Sequence, residues 1–85
     1  MVGHVLVVDD DLAMGEIVRR GLTRHGFTVE VATSGDDGLA RVLDHDVDVV
    51  VTDLRMAGIS GLELAERITA NVADLPVIVI TAFGS

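Results

Sequence analysis

The chain is 85 residues long, enough for one small domain with a core of limited size. It is 49% hydrophobic, which excludes a disordered tail, and its only aromatic residues are Phe27 and Phe83, so the core must be built from Val, Leu, Ile and Ala. Fourteen acidic residues against six arginines, with no lysine and no cysteine, give a net charge of −8. That balance argues against direct binding to nucleic acid or anionic lipid and excludes P-loop, Schiff-base, disulfide and cysteine–metal chemistry.

In chain order, apolar runs alternate with segments of helical period. His4–Val8 is a short β-branched run suited to a strand buried on both faces. A helix is predicted over Leu12–His25, with Met14, Ile17, Val18, Gly21 and Leu22 on its inward stripe and Asp11 as its cap. Gly26 supplies a left-handed stop, and Arg24 and His25 suit the negative helix end. Thr28–Ala32 alternates as a strand near a sheet edge does. Ser34 caps a second helix, with Asp36 and Asp37 in its first turn and Leu39, Val42 and Leu43 facing inward. Val47–Thr52 is the third strand; Gly61–Val72 is the third helix, with Leu64, Ala65, Ile68 and Val72 on one stripe. Pro76 opens the fourth strand, Val77–Thr81.

This β-α-β-α-β-α-β order implies an α/β domain with a parallel sheet covered on both faces. In such sheets ligands bind at the carboxyl ends of the strands, where strand order reverses. Asp9, Asp10 and Asp11 follow the first strand, Asp53 follows the third, and Thr81 and Ala82 close the fourth. If these strands are neighbours, the carboxylates converge and repel one another unless a proton or cation intervenes. An all-oxygen donor set suits a hard cation, Mg²⁺ before Ca²⁺. The hydroxyl of Thr81 and the small Ala82 would let a phosphoryl group approach the backbone.

Three segments, VLVVDDD, VVVTDLRMAGISGLEL and LPVIVITA, resemble the receiver domain of two-component response regulators. The stretch around Asp53 is similar to the receivers of sigma-54-dependent transcriptional activators. The resemblance spans the chain and implies a flavodoxin-like, three-layer fold of strand order 2-1-3-4-5. It implies that Asp53 accepts a phosphoryl group from a histidine kinase. Asp9, Asp10 and Asp53, with the backbone carbonyl of Arg55, would hold Mg²⁺. Thr81 would hydrogen-bond the phosphoryl group and swing toward it on activation, and the Ala82 backbone would contact it. Arg55 and Phe83 match positions that tune dephosphorylation. The module is then not an enzyme beyond its own phosphorylation and dephosphorylation, and it acts in the cytoplasm, attached to an effector domain in a longer parent protein.

The sequence departs from that family in two places. Ala57 stands where proline is usual, in the loop after Asp53. The chain, residues 1–85, also reads as a partial receiver domain that stops after the fourth strand, lacking the fifth strand, the lysine at its end and two helices. Strand four would then be an open edge, a template for self-association or element swapping, with an apolar patch where a helix normally lies. The alternative reading is therefore a non-phosphorylatable interaction or self-assembly module.

Other features carry no chemistry. Asp44, Asp46 and Asp48 mimic the start of an EF-hand loop, but Val49 and Arg55 stand where such a loop needs Gly and Glu. His4, His25 and His45 lack ligand spacing, and Gly58 and Gly61 serve the loop before the third helix. The amino terminus has no basic region ahead of its apolar run, unlike a signal peptide, and the apolar stretch from Leu75 to Ile80 is too short to span a membrane.

Overall fold

The computed structural model describes residues 3–81. Seven elements follow in turn: strand β1 (His4–Val8), helix α1 (Leu12–Arg24), β2 (Thr28–Ala32), α2 (Gly35–Asp44), β3 (Val49–Asp53), α3 (Gly61–Asn71) and β4 (Val77–Ile80). The four strands pair in parallel in the order β2-β1-β3-β4, which places β2 at an edge as its alternation predicts. The order reverses between β1 and β3, so the carboxyl ends of those two strands flank the crevice where this class of sheet binds ligands.

The register defines the two faces. Leu6, Val50 and Val77 lie side by side across β1, β3 and β4, and Val7, Val51 and Ile78 form the adjacent row. Successive residues of a strand point to opposite faces, so the first row meets α2 and α3. There Leu6, Val8, Val42, Val50, Leu64 and Ile68 form the buried core. Helix α1 lies on the other face, where a Cβ at Gly15 would stand 2.8 Å from Val31 Cγ1. Each helix starts on a side-chain cap. Asp11 accepts from the Ala13 and Met14 N–H groups, Ser34 from Asp37 and Ser60 from Glu63. Such caps contribute about 1 kcal/mol each, useful to a domain this small.

Four sequence expectations are corrected. Met14, Ile17 and Gly21 are exposed, Ile17 by 60%, although they share the helical stripe of α1. The reason is that α1 rests on β1 and β2, and no described helix covers that sheet face over β3 and β4. Ile78 and Ile80 on β4 are open as well, by 51% and 44%. Leu43 is 56% exposed, because α2 turns Val42 and the buried Gly35 and Gly38 to the core in its place. Strand β3 runs two residues later at its start and one later at its end than its β-branched run suggests. Asp48 is tied to β1 ahead of the ladder, its N–H donating to the His4 carbonyl at 2.8 Å and its carboxylate accepting the His4 N–H at 2.7 Å. Finally, His25 and Val72 are C-caps, and Thr81 lies just past β4.

Two of the histidines, His4 and His45, are structural in a way that their separation in sequence conceals. Glu30 of β2 accepts from Arg41 at 3.2 Å and lies at hydrogen-bond distance from His4 Nε2 and His45 Nδ1, the latter at 3.1 Å. Burial would raise the Glu30 carboxyl, but the bonds to His4, His45 and Arg41 outweigh it and hold the group below its ordinary range. One carboxylate thus fastens the start of β1 and the end of α2 to β2.

Candidate functional site

The site forms where β1 and β3 end. Asp9 directly follows β1, and its N–H donates to the Ala32 carbonyl at 3.0 Å, so the chain leaves the sheet at a fixed angle. Its side chain is buried, 7% exposed, and one oxygen accepts the Asp11 N–H at 2.9 Å. Asp11 caps α1, as its sequence position predicts, and is not part of the carboxylate cluster. Asp10 is exposed, and its Oδ2 accepts the Ala57 N–H at 3.0 Å. Asp53 is the last residue of β3; it is paired with Ile80, and the following Leu54 N–H donates to the Ile80 carbonyl at 2.7 Å.

These placements bring carboxylate oxygens of Asp9, Asp10 and Asp53 within 4.8 Å of one another. Two unit charges about 4 Å apart repel by roughly 4 kcal/mol at the effective dielectric of a protein surface. The strain shows on the most buried member. Burial pushes the Asp9 carboxyl above its ordinary value, the charges of Asp53, Asp10 and Asp11 push it further, and the Asp11 N–H only partly offsets them. The donor set is all oxygen, and its charge asks for a small hard cation, so the residues fit Mg²⁺.

The three carboxylates open onto a cavity of about 300 Å³, also lined by Asp11, Met14, Val18, Ile80 and Thr81. Its mouth is therefore acidic and one wall apolar. Thr81 is exposed and borders the cavity as the sequence suggests. Arg55, two residues past Asp53, is exposed and does not line it. Ala82 and Phe83 lie outside the described residues.

Two parts of the site are invisible to local sequence reading. The Ala57 N–H reaches Asp10 from 47 positions away. Gly61 presses on the backbone of Asp53, and its own N–H donates to the Leu54 carbonyl at 2.8 Å, which seats the start of α3 behind the acidic cluster.

The family model for the response regulator receiver domain matches residues 5–85. The chain belongs to the response-regulator receiver family. Among curated relatives, the response regulator MprA of Mycobacterium sp. (strain KMS) is 40% identical over 82 residues, covering 96% of this chain and 36% of that protein. MprA of Mycobacterium avium (strain 104) is 38% identical over the same coverage. The receiver thus spans about a third of the length of the curated relatives it matches. Among solved structures, the response regulator TrrA of Thermotoga maritima, in complex with Mg²⁺ and BeF, superposes with a TM-score of 0.93 at 32% identity, over 98% of this chain and 72% of that one. TrrA bound to the histidine kinase ThkA gives a TM-score of 0.91 at 32% identity, over 99% and 72%. The four-stranded parallel sheet with three helices is therefore the receiver fold, as the sequence motifs imply.

Proposed function

We propose that this receiver accepts a phosphoryl group on Asp53 from a sensor histidine kinase, with Mg²⁺ as cofactor. The observation that carries this reading is the convergence of Asp9, Asp10 and Asp53 within 4.8 Å at the carboxyl ends of two neighbouring central strands. An Asp53 carboxylate oxygen forms the new bond to phosphorus as the kinase's phosphohistidine nitrogen leaves, giving an acyl phosphate. Asp9, Asp10 and Asp53, with the Arg55 backbone carbonyl, would hold the cation. A cation held there would supply charge neutralisation to the carboxylates and to the incoming phosphoryl group. The Thr81 hydroxyl would donate to a phosphoryl oxygen, and the receiver resemblance gives the same role to the Ala82 backbone N–H. The chain carries no lysine, so within it the neutralising charge would come from the cation, with Thr81 and the Ala82 N–H adding hydrogen bonds. The module turns over only its own acyl phosphate. It passes the signal to an effector domain of a longer protein acting in the cytoplasm, where its kinase partner would meet it. No described helix is long and apolar enough to cross a membrane.

The test is intact-mass spectrometry after incubation with Mg²⁺ and a small acyl-phosphate donor. One phosphoryl adduct is expected, absent from Asp53→Asn and from samples with Mg²⁺ chelated. A folded wild-type chain that stays unmodified would overturn the reading.

The open apolar surface formed by Met14, Ile17, Ile78 and Ile80 favours a second reading alongside it. Here β4 is an unpaired sheet edge among the described residues, and its neighbouring face is greasy, a combination that templates strand pairing or element exchange between copies. Light scattering across a concentration series is expected to show dimers or larger species. Replacing Ile78 and Ile80 together by threonine should shift them toward monomer, and a wild-type chain dispersed as monomer at high concentration would exclude this role.

A further inference from the structure

We propose that the Ala57 backbone N–H is the positioning group for Asp10, coupling the loop between β3 and α3 to the cation site. The proposal rests on the reading of Asp9, Asp10 and Asp53 as that site.

The three consecutive aspartates are committed differently. Asp9 is buried and holds the Asp11 N–H; Asp11 is spent on capping α1. Asp10 is exposed, and among the described residues its carboxylate accepts one hydrogen bond, from Ala57 at 3.0 Å. Without that bond nothing attractive holds Asp10 against Asp9 and Asp53, whose charges would turn it toward solvent. With it, one Asp10 oxygen is fixed and the other is left for a cation.

The donor is itself well anchored. The loop begins at Leu54, bonded to the Ile80 carbonyl, and ends at Gly61, bonded to the Leu54 carbonyl. Gly58, next to Ala57, takes a φ of +80°, a turn that an L side chain disfavours. The loop is thus a closed circuit with one N–H aimed outward at Asp10. A proline at this position would have no N–H to give, so the alanine in this sequence adds a link from metal ligand to loop. Movement of the loop would then move Asp10, and cation binding would in turn hold the loop.

The experiment titrates metal-free protein with Mg²⁺ alone, by calorimetry, for wild type, Ala57→Pro and Ala57→Gly. Losing a group that orients a metal ligand typically costs 10–100-fold in affinity, and at this exposed position about tenfold weaker binding is expected for Ala57→Pro. Ala57→Gly keeps the donor and should bind as wild type does. Equal or tighter binding by Ala57→Pro would overturn the proposal, and so would Ala57→Gly binding as weakly as Ala57→Pro, which would point to loop stiffness. Wild type that takes up no Mg²⁺ would overturn the underlying site reading instead. In that case, or if Ala57→Pro fails to fold, amide hydrogen exchange decides. The Ala57 N–H should exchange slowly in the metal-free wild type and faster in Asp10→Ala, and unchanged exchange would show that Asp10 and Ala57 are not linked.

Discussion

Gly61→Ala is expected to destabilise the domain by about 3 kcal/mol, at the upper end of what overpacking costs. A Cβ at Gly61 would overlap the Asp53 carbonyl oxygen and lie 3.0 Å from both the Asp53 carbonyl carbon and Leu54 Cα. All of these are backbone atoms, so no change of rotamer relieves the clash; either α3 backs away or the end of β3 bends. A domain of this size has roughly 4–13 kcal/mol in total, so the loss is a large fraction of it. The same displacement moves Asp53 relative to Asp9 and Asp10, and phosphoryl adduct formation should fall with stability. Gly58→Ala is the comparison: its φ of +80° is unfavourable for alanine, but a Cβ there meets open space, so the cost is about 1 kcal/mol. Urea unfolding of the two variants should separate them clearly. Equal midpoints would mean that α3 has room to withdraw from β3.

That contact illustrates what the sequence conveys and what it withholds. Elements written in local patterns are legible: the Val-rich β1, the Asp11 and Ser34 caps, the Gly26 stop with φ of +91°, and the acidic residues at the strand ends. The receiver motifs place Asp9, Asp10 and Asp53 together, and the structure brings them to one point. Periodicity is less informative about which part of a stripe is covered. Ile17 and Leu43 fit the helical period as well as Val42 does, yet only packing against a particular strand buries a side chain. The end of β3 was hidden because Asp53 is polar and reads as a loop residue, whereas its backbone is held in the ladder beside Ile80. The links from Ala57 to Asp10, from Gly61 to Asp53 and from His4 and His45 to Glu30 join distant positions through backbone groups or single polar atoms. No spacing rule encodes such contacts.

Asp9→Asn should separate stability from function in opposite directions. In metal-free buffer at pH 7 the variant is expected to be more stable than wild type by roughly 1–4 kcal/mol, the range for two like charges about 4 Å apart between bulk water and the effective dielectric of a protein surface. Asparagine keeps the acceptor for the Asp11 N–H and removes a charge that is buried and faces Asp10 and Asp53. The pH dependence gives the sign independently. Burial first, and then the neighbouring carboxylates, raise the Asp9 carboxyl in the folded state, so the folded chain binds more protons than the unfolded one between the two values. Stability from this group therefore falls as pH rises through that window, and the penalty is complete above it. Glu30 acts the other way: held below its ordinary value, it contributes stability above the unfolded pKa that is lost as pH falls through the folded one. It is common to both proteins and cancels in their difference. The advantage of Asp9→Asn should thus be largest at neutral pH and shrink toward pH 4, as thermal unfolding at several pH values would show. Mg²⁺ affinity should meanwhile drop by more than the roughly 10–100-fold typical of losing a mere supporting group. A variant less stable than wild type without metal would mean that Asp9 is held by favourable contacts. The carboxylate would then not be kept against its own electrostatic cost for the sake of a cation.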